Sequence, residues 1–227
     1  MKFTIPVAFI FPMLAVLFFA TPGIAQTAPS ASDYASYDQA FKAVYDGDLE
    51  TVKNLIDKGF PVAKRDRAER SAIHIAAYQS HDEILKLLVE AGGDINALEH
   101  RRYDVITIAA VANDVELLKL ALKLGGNPAN ITSPYDGTAL IAAAHLGHAE
   151  VVRILLEAGA PVDHINNLEW TALIEAVVLG DGGADYVETI GYLLAHNADR
   201  SIADGNGVTP LQHAQQRDYT EIVQLLK

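Results

Sequence analysis

The sequence predicts an all-α solenoid of about six helix-turn-helix units with projecting, hairpin-like fingers. Three observations predict it. A seven-residue segment recurs at a spacing of 33 or 34 residues, a glycine recurs 21 residues after the start of most segments, and about a dozen residues without helical periodicity separate that glycine from the next segment. Self-similarity with a period of roughly 20–50 residues marks an array in which each unit packs on its neighbours.

The recurring segments run from Ser71 to Ala77, Asp104 to Ala110, Thr138 to Ala144, Thr171 to Val177 and Thr209 to Gln215, with starts separated by 33, 34, 33 and 38 positions. One period before Ser71 stands Asp38, where Asp38 to Val44 fits the same mould with weaker identity. Each segment opens on Ser, Thr or Asp, which can cap a helix, and continues small and apolar for two turns. A polar break follows, such as Asp46-Gly47-Asp48 or Gly147-His148, and then an amphipathic run such as Glu150 to Glu157. Its apolar positions mix i, i+3 and i+4 spacings, which gives a second helix with one buried face. Gly59, Gly92, Gly125 and Gly159 stand where that helix should end in a left-handed residue, and Asn197 takes the place in unit five. The spacing of 38 places a five-residue insertion around Asp181 to Asp185, between the two helices of unit five.

The N-terminal stretch reads differently. Lys2 precedes an apolar run from Ile5 to Ala20, and Gly23 and Ala25 are the small residues a signal peptidase accepts. Residues 1–25 are expected to be a cleaved signal peptide and 26–33 a flexible lead, because Pro6 and Pro12 interrupt the run and it falls short of the roughly 20 residues of a span. The repeat domain is then 34–227, with units near 34–66, 67–99, 100–133, 134–166, 167–204 and 205–227.

Composition narrows the chemistry. The chain has 227 residues, a formal charge of −12, no cysteine, and methionine only at Met1 and Met13. Disulfides, Cys-ligated zinc, iron–sulfur clusters and thiol catalysis are excluded. The acidic balance argues against nucleic acid or an anionic membrane as partner, since phosphate neutralisation needs surplus Lys and Arg. Eight histidines invite a metal reading, but His74, His81 and His148 sit at recurring structural positions, and His145 and His148 lack a local third ligand. Asp181, Asp185 and Glu188 offer too few oxygens for calcium. With no nucleophile elbow, phosphate-cradling loop or His-Glu-x-x-His segment, neither a catalytic residue, a cofactor nor a metal is expected.

Period, phase and motif together resemble the ankyrin repeat, with its helix, turn, helix and finger and its Thr-Pro-Leu-His-x-Ala signature. Only Pro210 supplies the motif proline and only His74 the motif histidine. Within the family, Glu169 to Gly183 followed by Asp204 to Ala214 is similar to small exported bacterial ankyrin proteins. The resemblance implies a non-enzymatic protein-interaction scaffold, expected to be periplasmic and monomeric, that binds an envelope protein through its concave face and fingers. An accessory to a periplasmic oxidant-defence enzyme and a secreted effector that binds host proteins are the alternatives.

Ankyrin fingers project from one edge of the stack, so basic clusters in successive fingers should be neighbours. Residues 26–135 carry a net −4 and 136–227 a net −9, yet Lys64, Arg65, Arg67 and Arg70 fall in one finger and Arg101 and Arg102 in the next. Arg65, Arg67, Arg70, Arg101 and Arg102, with Tyr103, Tyr135 and Trp170, form the expected partner-binding set, because arginine and aromatic side chains dominate protein interfaces.

Overall fold

In the computed structural model, which describes residue 26 and residues 28–227, the described residues form thirteen α-helices and isolated bridges in place of a sheet. The expected signal peptide lies outside the described residues. Helix α1 spans Ala31–Ser36 and begins within the stretch 26–33 expected to be a flexible lead. Ser30 caps it, and Asp33 returns a hydrogen bond to the Ser30 N–H at 2.8 Å. Six helix pairs follow: α2 (Gln39–Asp46) with α3 (Leu49–Asp57), α4 (Ala72–Tyr78) with α5 (Asp82–Glu90), and α6 (Val105–Ala112) with α7 (Val115–Lys123). The remaining pairs are α8 (Ala139–Leu146) with α9 (Ala149–Glu157), α10 (Ala172–Leu179) with α11 (Ala184–Ala195), and α12 (Pro210–Gln216) with α13 (Thr220–Leu226).

The recurring polar residue stands at the start of each first helix as expected, and in all but the second unit its side chain caps the helix. Asp38, Asp104, Thr138, Thr171 and Thr209 each accept the N–H three residues on. These first helices form one row, in which α2 packs on α4, α4 on α6, α6 on α8, α8 on α10 and α10 on α12. Ala76, Ala109, Ala143 and Ala176 are fully buried in that row, and with no side chain beyond Cβ they let the helices approach closely. The second helices form the outer layer, with α9 on α11 and α11 on α13. Gly59, Gly92, Gly125 and Gly159 take φ between 84° and 93°, and Asn197 takes 65°, the left-handed helix ends read from the sequence.

Side chains in the turn between paired helices tie each unit to the preceding one. The Nε2–H of His81 donates to the Tyr45 carbonyl at 3.1 Å, and the Nδ1–H of His148 to the Ala110 carbonyl at 2.9 Å. Tyr186 and Tyr219 hydroxyls do the same for the carbonyls of His145 and Gly180, at 3.0 and 2.8 Å. At the second-to-third junction Ser80 Oγ donates to Asp114 Oδ2 instead, at 2.8 Å. Carbonyls near the end of one inner helix thereby gain a donor from the next unit.

The N-terminal unit ends the stack with aromatic rings. Tyr34 lies 4.9 Å from Tyr45 and Tyr37 lies 5.4 Å from Phe41, centroid to centroid, and Phe41 meets Phe60 edge-on at 6.4 Å. At the other end, the insertion in unit five is partly packed. It lengthens α11 to 12 residues against 9 in α9, and brings Gly182, at φ 77°, against the ring of Tyr219. A Cβ on Gly182 would stand 2.5 Å from Tyr219 Cδ1. Gly182→Ala is therefore expected to cost about 1–3 kcal/mol, from left-handed strain plus overpacking. Urea unfolding at unchanged slope reads this as a lower midpoint; an unchanged midpoint would contradict the packing role of the insertion.

Candidate interaction surface

The fingers are built by one side chain each, five residues before the cap. Asp66 Oδ1 accepts the N–H groups of Ala68 and Arg70 at 2.8 and 2.9 Å, and Glu99 Oε1 accepts those of Arg101 and Tyr103 at 2.8 and 3.2 Å. Ser133 holds Tyr135 and Gly137 in the same way, Asn166 holds Leu168 and Trp170, and Asp204 holds Asn206 and Val208. Each finger tip is thus a tight turn on a side-chain acceptor, with a residue at positive φ three positions after it, Glu69, Arg102, Asp136, Glu169 and Gly207, and in the third finger the acceptor Ser133 at positive φ as well. Isolated bridges, Arg65 with Ser71 and Thr132 with Gly137, are what remains of the expected hairpins. Adjacent fingers are joined through the backbone, His100 N–H to the Ala68 carbonyl at 3.2 Å and Asn167 N–H to that of Tyr135 at 2.9 Å.

The eight residues expected to form the partner surface separate into two groups. Arg70 is buried, with 2% of its surface exposed, and its guanidinium meets Asp66 at 2.8 Å and Asp33 at 3.0 Å. Tyr103 is buried as well, at 7% exposure. Both immediately precede a cap and belong to the interior, whereas Trp170 at the same place in its unit is only half-buried. Arg65, Arg67, Arg102, Arg101, Tyr135 and Trp170 stay fully or partly exposed. Arg65 also stitches fingers, its Nη1 donating to the carbonyls of Glu69 and Leu98 at 2.6 Å each. Arg102 pairs with Asp136 of the next finger at 2.5 Å. Arg67 makes no hydrogen bond or ion pair among the described residues.

Two features of the surface escaped the sequence reading. At the ends of α4, α6, α8 and α10 the chain is left unburied, presenting Tyr78 and the following Gln79, Val111 and Ala112, His145 and Leu146, and Val178 and Leu179. Leu146 is 41% exposed, a large apolar side chain with no role in the core. The second feature is Glu175, an acid in an otherwise apolar column of α10. It is buried at 4% exposure, accepts from Asn166 Nδ2 at 3.0 Å, and meets His145 Nδ1 at 3.1 Å. Glu175 was visible as an acid within the aligned segment from Thr171 to Val177, whereas the helix ends lie just beyond the segments. Among the described residues no group of three or more His, Cys, Asp or Glu could hold a metal ion.

Electrostatics assign His74 to structure. Its Nδ1 accepts the Ser71 N–H at 3.1 Å, so Nε2 carries the proton and donates to the Ala97 carbonyl in the finger at 2.9 Å. Burial, opposed by that carbonyl, pulls the imidazole down to about 4. Tyr37 is pushed up, by burial first and then by Asp66, whose Oδ2 accepts its hydroxyl at 2.9 Å.

Stacked helix pairs with fingers along one edge define a helical repeat solenoid. Ankyrin-repeat models match residues 40–102 (many copies) and 106–204 (3 copies), together most of the chain. The chain belongs to the ankyrin repeat family. It is similar to an ankyrin repeat domain from Acinetobacter baumannii AYE, with 36% identity, TM-score 0.79, and coverage of 82% of this chain and 95% of that one. The ankyrin repeat protein EF0377 gives 34% identity and TM-score 0.78 over 84% of this chain and 98% of its own. YahD of Escherichia coli K12, an ankyrin repeat protein, is 38% identical over 98 residues, 43% of this chain and 49% of that protein. The match thus spans about half the length of that curated relative.

The depressed His74 predicts acid sensitivity with a definite sign. Below pH 6.5 an unfolded chain protonates this ring, while the folded chain does not until about 4. The stability that the neutral ring supports is therefore complete above pH 6.5 and is lost as pH falls to about 4, at up to about 1.4 kcal/mol per pH unit. His74→Gln keeps a cap acceptor, as Gln212 does for Thr209 at 2.8 Å, and removes the titration. Urea unfolding between pH 7 and 4.5 should show a shallower decline for the variant than for the parent; equal slopes would contradict the assignment.

Proposed function

We propose that this chain is a non-enzymatic scaffold of the bacterial periplasm that binds an envelope protein through its inner-helix ends and fingers. Ankyrin repeats are interaction modules, and what carries the reading here is the division of labour within α8. Ala139 to Ala144 are spent on the core, with all but the half-buried Ala142 fully buried, while Leu146 in the last turn stands exposed and Trp170 in the next unit's finger stays partly exposed. A solenoid leaves such side chains free for recognition because its stability comes from neighbour contacts. The apolar N-terminal run with its small residues at Gly23 and Ala25 supports export, and the similarity to Acinetobacter baumannii and Escherichia coli proteins supports a bacterial setting.

Capture on immobilised protein from an osmotic-shock extract tests the reading. Leu146→Ala combined with Trp170→Ala should lose the captured partner while the array still unfolds cooperatively, and the exposed Leu146→Ala alone should change stability by no more than about 0.5 kcal/mol and still weaken capture. An identical captured set would remove this surface from the interaction. Recovery of the native protein in the cytosolic fraction, with none in the osmotic-shock fraction, would overturn the compartment.

A further inference from the structure

The N-terminal end of the array carries a second feature, a cleft of about 320 Å³ between the start of α2 and the first finger. Its lining includes Tyr37 and Phe41 from the first unit and Lys64, Arg65, Asp66 and Arg67 from the finger. The acids are already committed. Asp38 is paired with Lys64 and accepts the Phe41 N–H at 3.0 Å. Asp66 is saturated by the N–H groups of Ala68 and Arg70, the Arg70 guanidinium and the Tyr37 hydroxyl. Lys64 is spent on Asp38, but the two arginines are free of acids among the described residues. Arg65 bonds only neutral carbonyls, and Arg67 is exposed with no partner among the described residues.

Two guanidinium groups with uncompensated charge, on a finger fixed by its own acceptor network, present a binding unit of one sign in a chain whose formal charge is −12. Arginine's planar fork suits a carboxylate in two-point contact. Tyr37 and Phe41 form the floor, 6% and 3% exposed, with the Lys64 ammonium 5.8 Å from the Phe41 ring centroid, and offer an apolar contact to the stem of a carboxylate side chain.

We infer that this cleft is an acidic-peptide site, in which a carboxylate of a partner segment sits between Arg65 and Arg67 with its aliphatic stem against Tyr37 and Phe41. The assignment rests on the scaffold reading and gives that scaffold's partner a chemistry, an acidic segment engaged at the N-terminal end of the finger row. The carboxylate belongs to an aspartate or glutamate side chain or to a chain terminus.

Tetraglutamate, its C-terminal amide, tetralysine and inorganic phosphate are the probes, followed by amide and guanidinium NMR shifts of the purified protein at low and high salt. Tetraglutamate should shift Arg65, Arg67 and Tyr37, bind more weakly as salt rises, and lose roughly tenfold or more in affinity in Arg65→Gln/Arg67→Gln. An amide that binds equally assigns the site to side-chain carboxylates, and one that fails assigns it to a chain end. Tetralysine binding as well as tetraglutamate, no shift at these residues, or displacement by equimolar phosphate would each overturn the peptide-carboxylate assignment. The unfolding midpoint of the double variant is measured alongside, and Arg67→Gln alone, which disturbs no finger contact, must still weaken binding. The two readings fail separately. Loss of tetraglutamate binding with envelope capture intact sinks the cleft, whereas tetraglutamate binding by a protein that captures nothing sinks the scaffold.

Discussion

The structure depends on the contact between one unit and the next. No helix pair here could bury its apolar face alone, and the alanine-rich inner helices are dry only because another lies against them on each side. The donors that reach back from His81, His148, Tyr186 and Tyr219 hold that contact in register. Each bond is worth about 1 kcal/mol net. Their value lies in position, since each closes a junction at the helix end where a carbonyl would otherwise depend on water.

That constraint explains how histidine is spent. His74 ties cap to finger, while His81 and His148 tie unit to unit; all three act as hydrogen-bonding groups of the fold. Tyrosine takes over the junction role in the last two units, where the insertion moves the turn and a longer side chain spans the gap. A chain without cysteine has no covalent staple available, and the repeated junction supplies the cohesion instead.

Much of the architecture was legible in the sequence because it repeats. The caps and the left-handed helix ends at Gly59, Gly92, Gly125, Gly159 and Asn197 follow from residues whose physical preference is local. The fate of the basic fingers was less legible. Arg70 and Arg67 are alike as letters in a charge run, yet one is sealed between Asp33 and Asp66 and the other stands in solvent. Their difference comes from where the finger turn points each side chain, and that turn is set by an acceptor five residues before the cap, a position filled by Asp, Glu, Ser or Asn in different units. Helix α1 escaped for a related reason, because it is fixed by Asp33 reaching a residue 37 positions away.

If neighbour contacts hold the array together, protection must follow the number of neighbours. Native-state amide hydrogen exchange measures this directly, helix by helix. The account predicts the slowest exchange in α4, α6, α8 and α10, which are flanked on both sides, with less protection in α2 and α12 at the ends of the row. Uniform protection along the chain, or a maximum in a terminal unit, would contradict it.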